Sequence, residues 1–361
     1  MLSLLYRAGV SLRHFLYDKG LFSVSKTQIP VISVGNISLG GTGKTPAVIH
    51  LSQKFQAKGI SPAVVCRGYG CENPNPLLVS SKEEIISEPD ECGDEAYLLA
   101  QKLKGIPVVV CTSKREAALW TEKNLDVDLL IVDDGFQHRS LERDYDLVLV
   151  DSTRPPQEEN IFPRGLLREP ARRLKDADGI ILSRAHQVSE KNFLSILDFV
   201  KPLISSDSDI YMSWIKPDYL EDDKGRSYPP EELKGDDVLA FSGLGNPESF
   251  ERTLHEIGCN IVEHAAFPDH YDYSYDDFLV KINESISRVE HLRRQGKEIE
   301  GAVTTEKDAV KIDDGIRRFF AERDLKLFVL KIDLGISPVE DKSCSINCVA
   351  DDILAHLDNK D

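Results

Sequence analysis

The sequence predicts an α/β fold: a mostly parallel sheet, a second and smaller α/β unit after it, and an amphipathic helix before it. Three observations carry this expectation. Short apolar, β-branched runs alternate with helix-like stretches up to Leu182, each bounded by Gly, Pro, Asp or Ser as doubly buried strands are. A polar stretch then interrupts the pattern, and alternation resumes at Val238. The length of 361 residues suits two such units.

Composition excludes several classes of function. With 41% hydrophobic residues the chain can fill sizeable cores, so wholesale disorder is excluded. Lys+Arg 44 against Asp+Glu 61 gives a net charge of −17, which repels phosphate backbones, so no nucleic-acid partner is expected. Anionic ligands must then bind at local basic patches. The seven cysteines are odd in number and lack any Cys-x-x-Cys, and they read as reduced thiols of a cytosolic chain without structural zinc.

In chain order, residues 1–28 come first. Leu2, Leu5, Ala8, Leu12, Phe15 and Leu16 share one helical face, opposite Arg7, Ser11, His14 and Asp18. No stretch approaches the ~20 apolar residues of a membrane span, and the pattern is not that of a secretory signal. Residues 1–30 carry a net +3, which suits the surface of an anionic bilayer; packing on the chain's own core is the other reading. Residues 29–205 hold the strand candidates Ile29–Val34, Pro62–Cys66, Ile106–Cys111, Val127–Val132, Tyr145–Val150 and Gly179–Leu182. Helix-like stretches between them include Pro46–Lys58, Asp94–Leu103 and Lys114–Lys123. A linker is expected over 206–235, rich in charge and containing Pro229-Pro230, and a second unit over 236–361.

The chemistry gathers at strand ends. The first strand runs into Ser38-Leu39-Gly40-Gly41-Thr42-Gly43-Lys44-Thr45, which is G-x-x-x-x-G-K-[ST] with Ser38 for the first glycine. Such a loop turns backbone N–H groups toward phosphates at a helix N-terminus, and makes the sheet that of a P-loop NTPase-like core. Lys44 would reach the β- and γ-phosphates of ATP, and Thr45 would ligate Mg²⁺. The strand Leu129–Val132 ends in Asp133-Asp134, where a parallel sheet places its ligand crevice and a metal-holding acid belongs. Gln137-His138-Arg139 follow at once, where an acceptor would enter or where a solvated loop would lie. Asp94 and Glu95 open a helix. Capping explains Asp94 on pattern alone, but a kinase also needs a carboxylate beside the attacking hydroxyl. Residues 163–175 carry a net +4, either a clamp for an anion or an exposed basic helix.

Together with Arg67-Gly68-Tyr69-Gly70, Gly93-Asp94-Glu95, Asp133-Asp134-Gly135-Phe136-Gln137-His138, Leu167-Arg168-Glu169-Pro170 and Thr305-Glu306-Lys307-Asp308-Ala309-Val310, this loop resembles that of the tetraacyldisaccharide 4′-kinases of lipid A biosynthesis. The motifs follow the family's order to Val310, and the family has Ser or Thr where Ser38 stands. The resemblance implies transfer of the ATP γ-phosphate to the 4′-hydroxyl of a tetraacyldisaccharide 1-phosphate. It implies a peripheral enzyme on the cytoplasmic side of the bacterial inner membrane, held by the first helix, with no obligate protein partner. It places the catalytic aspartate at Asp94 and a partner histidine at His270, with His264 second. Mg²⁺ falls to Thr45 with Asp133 or Asp134 or both, assisted by Glu95, and the lipid to Tyr69, Gln137, His138, Arg139 and Arg168. Where the family often reads Pro-Ala-Gly-Pro-Leu-Arg-Glu-Pro, this chain has Arg164 and Leu166, which leaves the loop shape open.

The alternative is a membrane-associated P-loop ATPase switch of the partitioning or targeting class. Leu39 stands where those proteins carry a signature lysine. Thr305-Glu306-Lys307-Asp308 is not the Asn-Lys-x-Asp of a guanine switch. A lipid-binding adaptor would leave the phosphate loop and paired aspartates without a role.

Overall fold

The computed structural model describes residues 2–68, 75–269, 271, 273–339 and 348–359. The chain divides into two compact units, Met1–Trp214 with Leu334–Asp361, and Ile215–Asp333. The first unit opens with α1 (Leu2–Asp18) and continues β1 (Val31–Asn36), α2 (Lys44–Ala57), β2 (Pro62–Cys66), β3 (Leu77–Ser80), α3 (Pro89–Cys92), α4 (Asp94–Lys102), β4 (Val108–Val110) and α5 (Lys114–Asn124). It then runs through β5 (Leu129–Asp133), β6 (Tyr145–Asp151), β7 (Gly179–Ser183) and α6 (Glu190–Val200) into β8 (Asp209–Asp222).

Its strands lie in the order β8-β7-β6-β1-β5-β2-β4-β3, parallel except for the antiparallel edge strand β3. Strands β1, β2, β5, β6 and β7 are buried at every position, which is why their sequences are rich in Val, Ile and Leu on both faces rather than strictly alternating. One sheet face packs Val31, Val65, Leu130 and Val132 against Ala117 and Ala118 of α5. Another cluster joins Val148, Ile180 and Leu182 to Ile196 and Val200 of α6. Because β1 pairs with both β5 and β6, and Val34 lies level with Asp133, the phosphate loop and the acidic strand end emerge together.

The second unit contains β9 (Ser227–Tyr228), β10 (Asp237–Ser242), α7 (Pro247–Ile257), β11 (Asn260–Ala266), α8 (Tyr275–Arg294), β12 (Gly301–Thr305), α9 (Glu306–Ala309), α10 (Asp314–Ala321) and, as far as Asp333, β13 (Lys326–Pro338). Its strands β11-β10-β12-β13 are parallel, and an aromatic core of Phe241, Phe267, Phe278, Phe319 and Phe320 fills one side. Helix α11 (Cys348–Asp358) belongs to the first unit, tied there by Tyr211 donating to Asp352 at 2.7 Å.

The structure divides the chain differently from the expected 206–235 linker and 236–361 unit. Residues 209–222 are a strand, whose mixed polar and apolar pattern hid it, and the chain beyond Asp333 returns to the first unit.

Cys66, Cys92, Cys111 and Cys259 are buried and in no disulfide among the described residues, while Cys71 and Cys344 lie outside those residues.

Candidate active site

Between β1 and α2 the chain turns tightly, with φ of 92° at both Gly40 and Gly43, a conformation open to glycine. Gly43 occupies the N-cap of α2 and no side chain caps that helix, so its first-turn N–H groups remain available to an anion. The loop is held from outside: Asn36 Nδ2 donates to Thr42 Oγ1 at 2.9 Å, Ser183 Oγ to the Thr42 carbonyl at 2.8 Å, and Arg184 Nη2 to the Gly41 carbonyl at 2.6 Å. Arg184 is itself anchored on Asp151 at 2.5 Å. Ser38 bridges to Leu167, which sets the basic segment along the loop's other side.

Lys44 and Thr45 start α2. Lys44 Nζ lies 3.4 Å from Asp134 Oδ1, and Arg168 Nη1 lies 3.0 Å from Asp134 Oδ2. Burial raises Asp134, but Lys44, Lys114 and Arg168 outweigh it and hold the carboxyl well below the usual range. Asp133 behaves oppositely. Burial, then the charge of Glu95, push it up to about 6 against the pull of Lys114 and Lys44. Its Oδ1 is buried and accepts no hydrogen bond.

An orphaned carboxylate oxygen beside a phosphate loop fits a hard cation. Among the described residues no cluster of three or more His, Cys, Asp or Glu forms a protein-only cage. That combination suits Mg²⁺, which keeps water and phosphate oxygens in its shell.

Asp94 and Glu95 form the first turn of α4, behind Gly93 at φ 85°. The loop after the aspartates folds back on the site: Gln137 Nε2 donates to the Asn36 carbonyl at 2.6 Å, and burial pushes His138 down to about 4. Arg139 turns toward α1, pairing with Asp18 at 2.7 Å, so the acceptor-side expectation for Arg139 meets a residue already engaged by the chain itself. Tyr69 and His270 lie outside the described residues. His264 is occupied at both ring nitrogens, by Ser242 Oγ at 3.0 Å and Glu251 Oε1 at 2.6 Å. The Thr305–Val310 motif forms the end of β12 and α9, where buried Asp308 accepts from the Gly243 amide and the Tyr273 hydroxyl, both at 3.0 Å.

Helix α1 turns one polar residue of its face, His14, inward. His14 is buried and meets Glu169 at 3.0 Å, and Arg13 donates to the Gln137 carbonyl at 2.6 Å. Leu2, Leu5, Leu12 and Phe15 of the anticipated apolar face are exposed, with Leu4 beside them. Packing on the chain's own core therefore accounts for the other face, not this one. No helix among the described residues is long and apolar enough to cross a membrane. Within the 163–175 segment only the part from Ala171 on is helical, in the 3₁₀ turn Ala171–Asp176, and Arg168 and Arg173 face inward to Asp134 and Glu169.

Pattern reading missed Asn36, Asp151, Ser183, Arg184 and Lys114. Lys114 had a signal: it ends the run Cys111-Thr112-Ser113, at the same strand-end crevice as Asp133.

A phosphate loop, a lysine at its helix start and a split pair of aspartates at the next strand's end define a P-loop nucleotide-binding protein of the kinase type. The family model for tetraacyldisaccharide-1-P 4′-kinase matches residues 1–346, and the chain belongs to that family. The tetraacyldisaccharide 4′-kinase of Halothermothrix orenii is 37% identical over 359 residues, spanning 96% of this chain and 91% of that protein. That of Syntrophus aciditrophicus is 39% identical over 322 residues, spanning 86% and 82%. The crystal structure of LpxK from Aquifex aeolicus in complex with ATP superposes with a TM-score of 0.70 at 28% identity, covering 99% of this chain and 97% of that one. The switch-ATPase alternative is not favoured.

Proposed function

We propose that the chain carries out its family's reaction: the γ-phosphate of ATP passes to the 4′-hydroxyl of tetraacyldisaccharide 1-phosphate, giving the 1,4′-bisphosphate of lipid A biosynthesis (lipid IVA) and ADP. The observation that carries the reading is the convergence of Lys44, Arg168 and both aspartates beside an uncapped helix start. Phosphoryl transfer is achieved mainly by positioning and charge stabilisation. The amides of residues 38–45 and Lys44 hold the β- and γ-phosphates. ATP arriving competes for Lys44 with Asp134, so Asp134 serves as the counter-ion that keeps the lysine aligned beforehand. Thr45, with Asp133 or Asp134 or both and Glu95, would hold Mg²⁺, which when bound would supply charge neutralisation at the phosphates. Asp94 orients the 4′-hydroxyl and takes its proton; His270, in the reading the resemblance gives, activates Asp94. Tyr69, Gln137, His138, Arg139 and Arg168 belong to the lipid side, with Arg168 shared between lipid and Asp134. The exposed Leu2, Leu5, Leu12 and Phe15 rest on the cytoplasmic face of the inner membrane.

The test is transfer of labelled γ-phosphate from ATP and Mg²⁺ to tetraacyldisaccharide 1-phosphate in detergent, with Asp94→Asn and Lys44→Ala alongside. Labelled lipid from the wild type, lost in both variants, is expected. Free phosphate without labelled lipid would overturn the reading in favour of an ATPase.

A further inference from the structure

Lys114 is 1% exposed, yet among the described residues its ammonium meets no carboxylate within salt-bridge distance. Its Nζ donates instead to two consecutive backbone carbonyls, those of Asp133 and Asp134, the latter at 2.6 Å. The placement is unfavourable on three counts. A buried cation loses its hydration, carbonyl oxygens compensate less than a carboxylate, and a cation in the first turn of α5 opposes the helix dipole. A compensating demand must come from what the lysine holds.

What it holds is strained. Asp134 has φ of 51°, in the left-handed region that a non-glycine residue rarely occupies. The chain leaves that conformation through the Gly135 amide, which donates to the Val34 carbonyl at 3.3 Å. Gly135 has no room to move toward β1, since a Cβ there would lie 2.6 Å from Ser33 Oγ. With both carbonyls drawn to one ammonium, the turn cannot relax to an extended path. The Asp134 carboxylate stays between Lys44 and Arg168 while Asp133 keeps its buried oxygen unbonded.

We propose that Lys114 is the positioning residue of the acidic turn: by holding the carbonyls of Asp133 and Asp134 it fixes the left-handed turn that sets both carboxylates for the metal–nucleotide complex. Lys114 touches neither substrate nor metal in this role. The kinetic arm of the test rests on the phosphoryl-transfer reading, and the binding arm does not.

The experiment uses the full chain with Lys114→Met and Lys114→Arg. It measures the Mg²⁺ half-saturation for binding a non-hydrolysable ATP analogue, kcat and KM for the lipid, and the thermal midpoint. Residues that orient metal ligands from behind typically change affinity or activity by about 10–100-fold on loss. Lys114→Met is expected to raise the Mg²⁺ half-saturation and lower kcat within that range, with KM for the lipid little changed. Lys114→Arg, whose guanidinium reaches two carbonyls, is expected to restore most of both. A Lys114→Met protein with a lower thermal midpoint, but wild-type Mg²⁺ half-saturation and kcat below it, would overturn the proposal, because a purely structural lysine behaves so. If Lys114→Met does not fold, Lys114→Gln takes its place: a raised half-saturation supports the proposal and a wild-type value sinks it. A wild type that binds the analogue with Mg²⁺ but labels no lipid would defeat the reaction assigned above and leave the binding arm intact.

Discussion

Asp133 is buried and its carboxyl is pushed up to about 6 from an ordinary 3.8, so its ionised form opposes folding of the metal-free protein. A folded-state value above the unfolded one means that the native state binds the extra proton. The stability this confers is complete below the unfolded value and is lost as pH rises through the folded one. The difference of about 2 units corresponds to about 3 kcal/mol at most, at 1.36 kcal/mol per unit. Asp133→Asn removes the ionisation while keeping the shape. In excess chelator the variant should therefore gain on the wild type as pH rises from about 4 to 8, the difference between the two growing by up to about 3 kcal/mol. Urea denaturation of both proteins across that range measures it. Added Mg²⁺ should then stabilise the wild type alone. A wild-type–variant difference that is flat with pH would refute the argument, since it would mean that Asp133 titrates alike in both states.

Four further outcomes are expected. Gly35→Ala places a methyl 2.5 Å from Phe136 Cβ and 2.9 Å from its amide, which should cost about 1–3 kcal/mol in chemical denaturation; an unchanged midpoint would mean that the acidic loop yields freely. Lys44→Ala should abolish phosphate transfer at near-wild-type thermal stability, since Asp134 retains Arg168; activity above about a tenth of wild type would remove the lysine from the phosphate site. Asp94→Asn and His270→Ala should each cost about 10²–10⁴-fold in kcat, and together little more than the worse one; multiplying effects in the double variant would show that the two residues act separately. Leu12→Asp with Phe15→Asp should leave the urea midpoint within about 0.5 kcal/mol, since both side chains are exposed, yet lower co-sedimentation with anionic vesicles; undiminished sedimentation would place the lipid contact elsewhere.

Much of the core was legible because fully buried strands announce themselves. Val31–Asn36, Leu129–Asp133 and Tyr145–Asp151 are mostly apolar runs, buried at every position. Strand β8 was not legible: its mixed burial leaves polar residues throughout, so it reads like a linker. The return of α11 to the first unit depends on Tyr211 and Asp352, contacts that no local pattern announces. In the site, Lys44 and the aspartates carry their spacing with them. Arg184 and Asn36 do not, because they act on the carbonyl and hydroxyl of a loop distant in sequence or unremarkable in type. Charge patterning left the basic segment open between a clamp and an exposed helix, because it does not show that Arg168 and Arg173 turn inward to carboxylates.

The docking of α1 has a mechanical consequence. Arg13 holds the Gln137 carbonyl, the Gln137 side chain holds the Asn36 carbonyl at 2.6 Å, and the Asn36 side chain holds Thr42 in the phosphate loop at 2.9 Å. The helix that offers leucines outward is thus joined to the nucleotide cradle by three polar links in series. Load applied at the outer face of the helix would be borne within a few residues of the phosphate loop, so the two ends of this linkage would respond together.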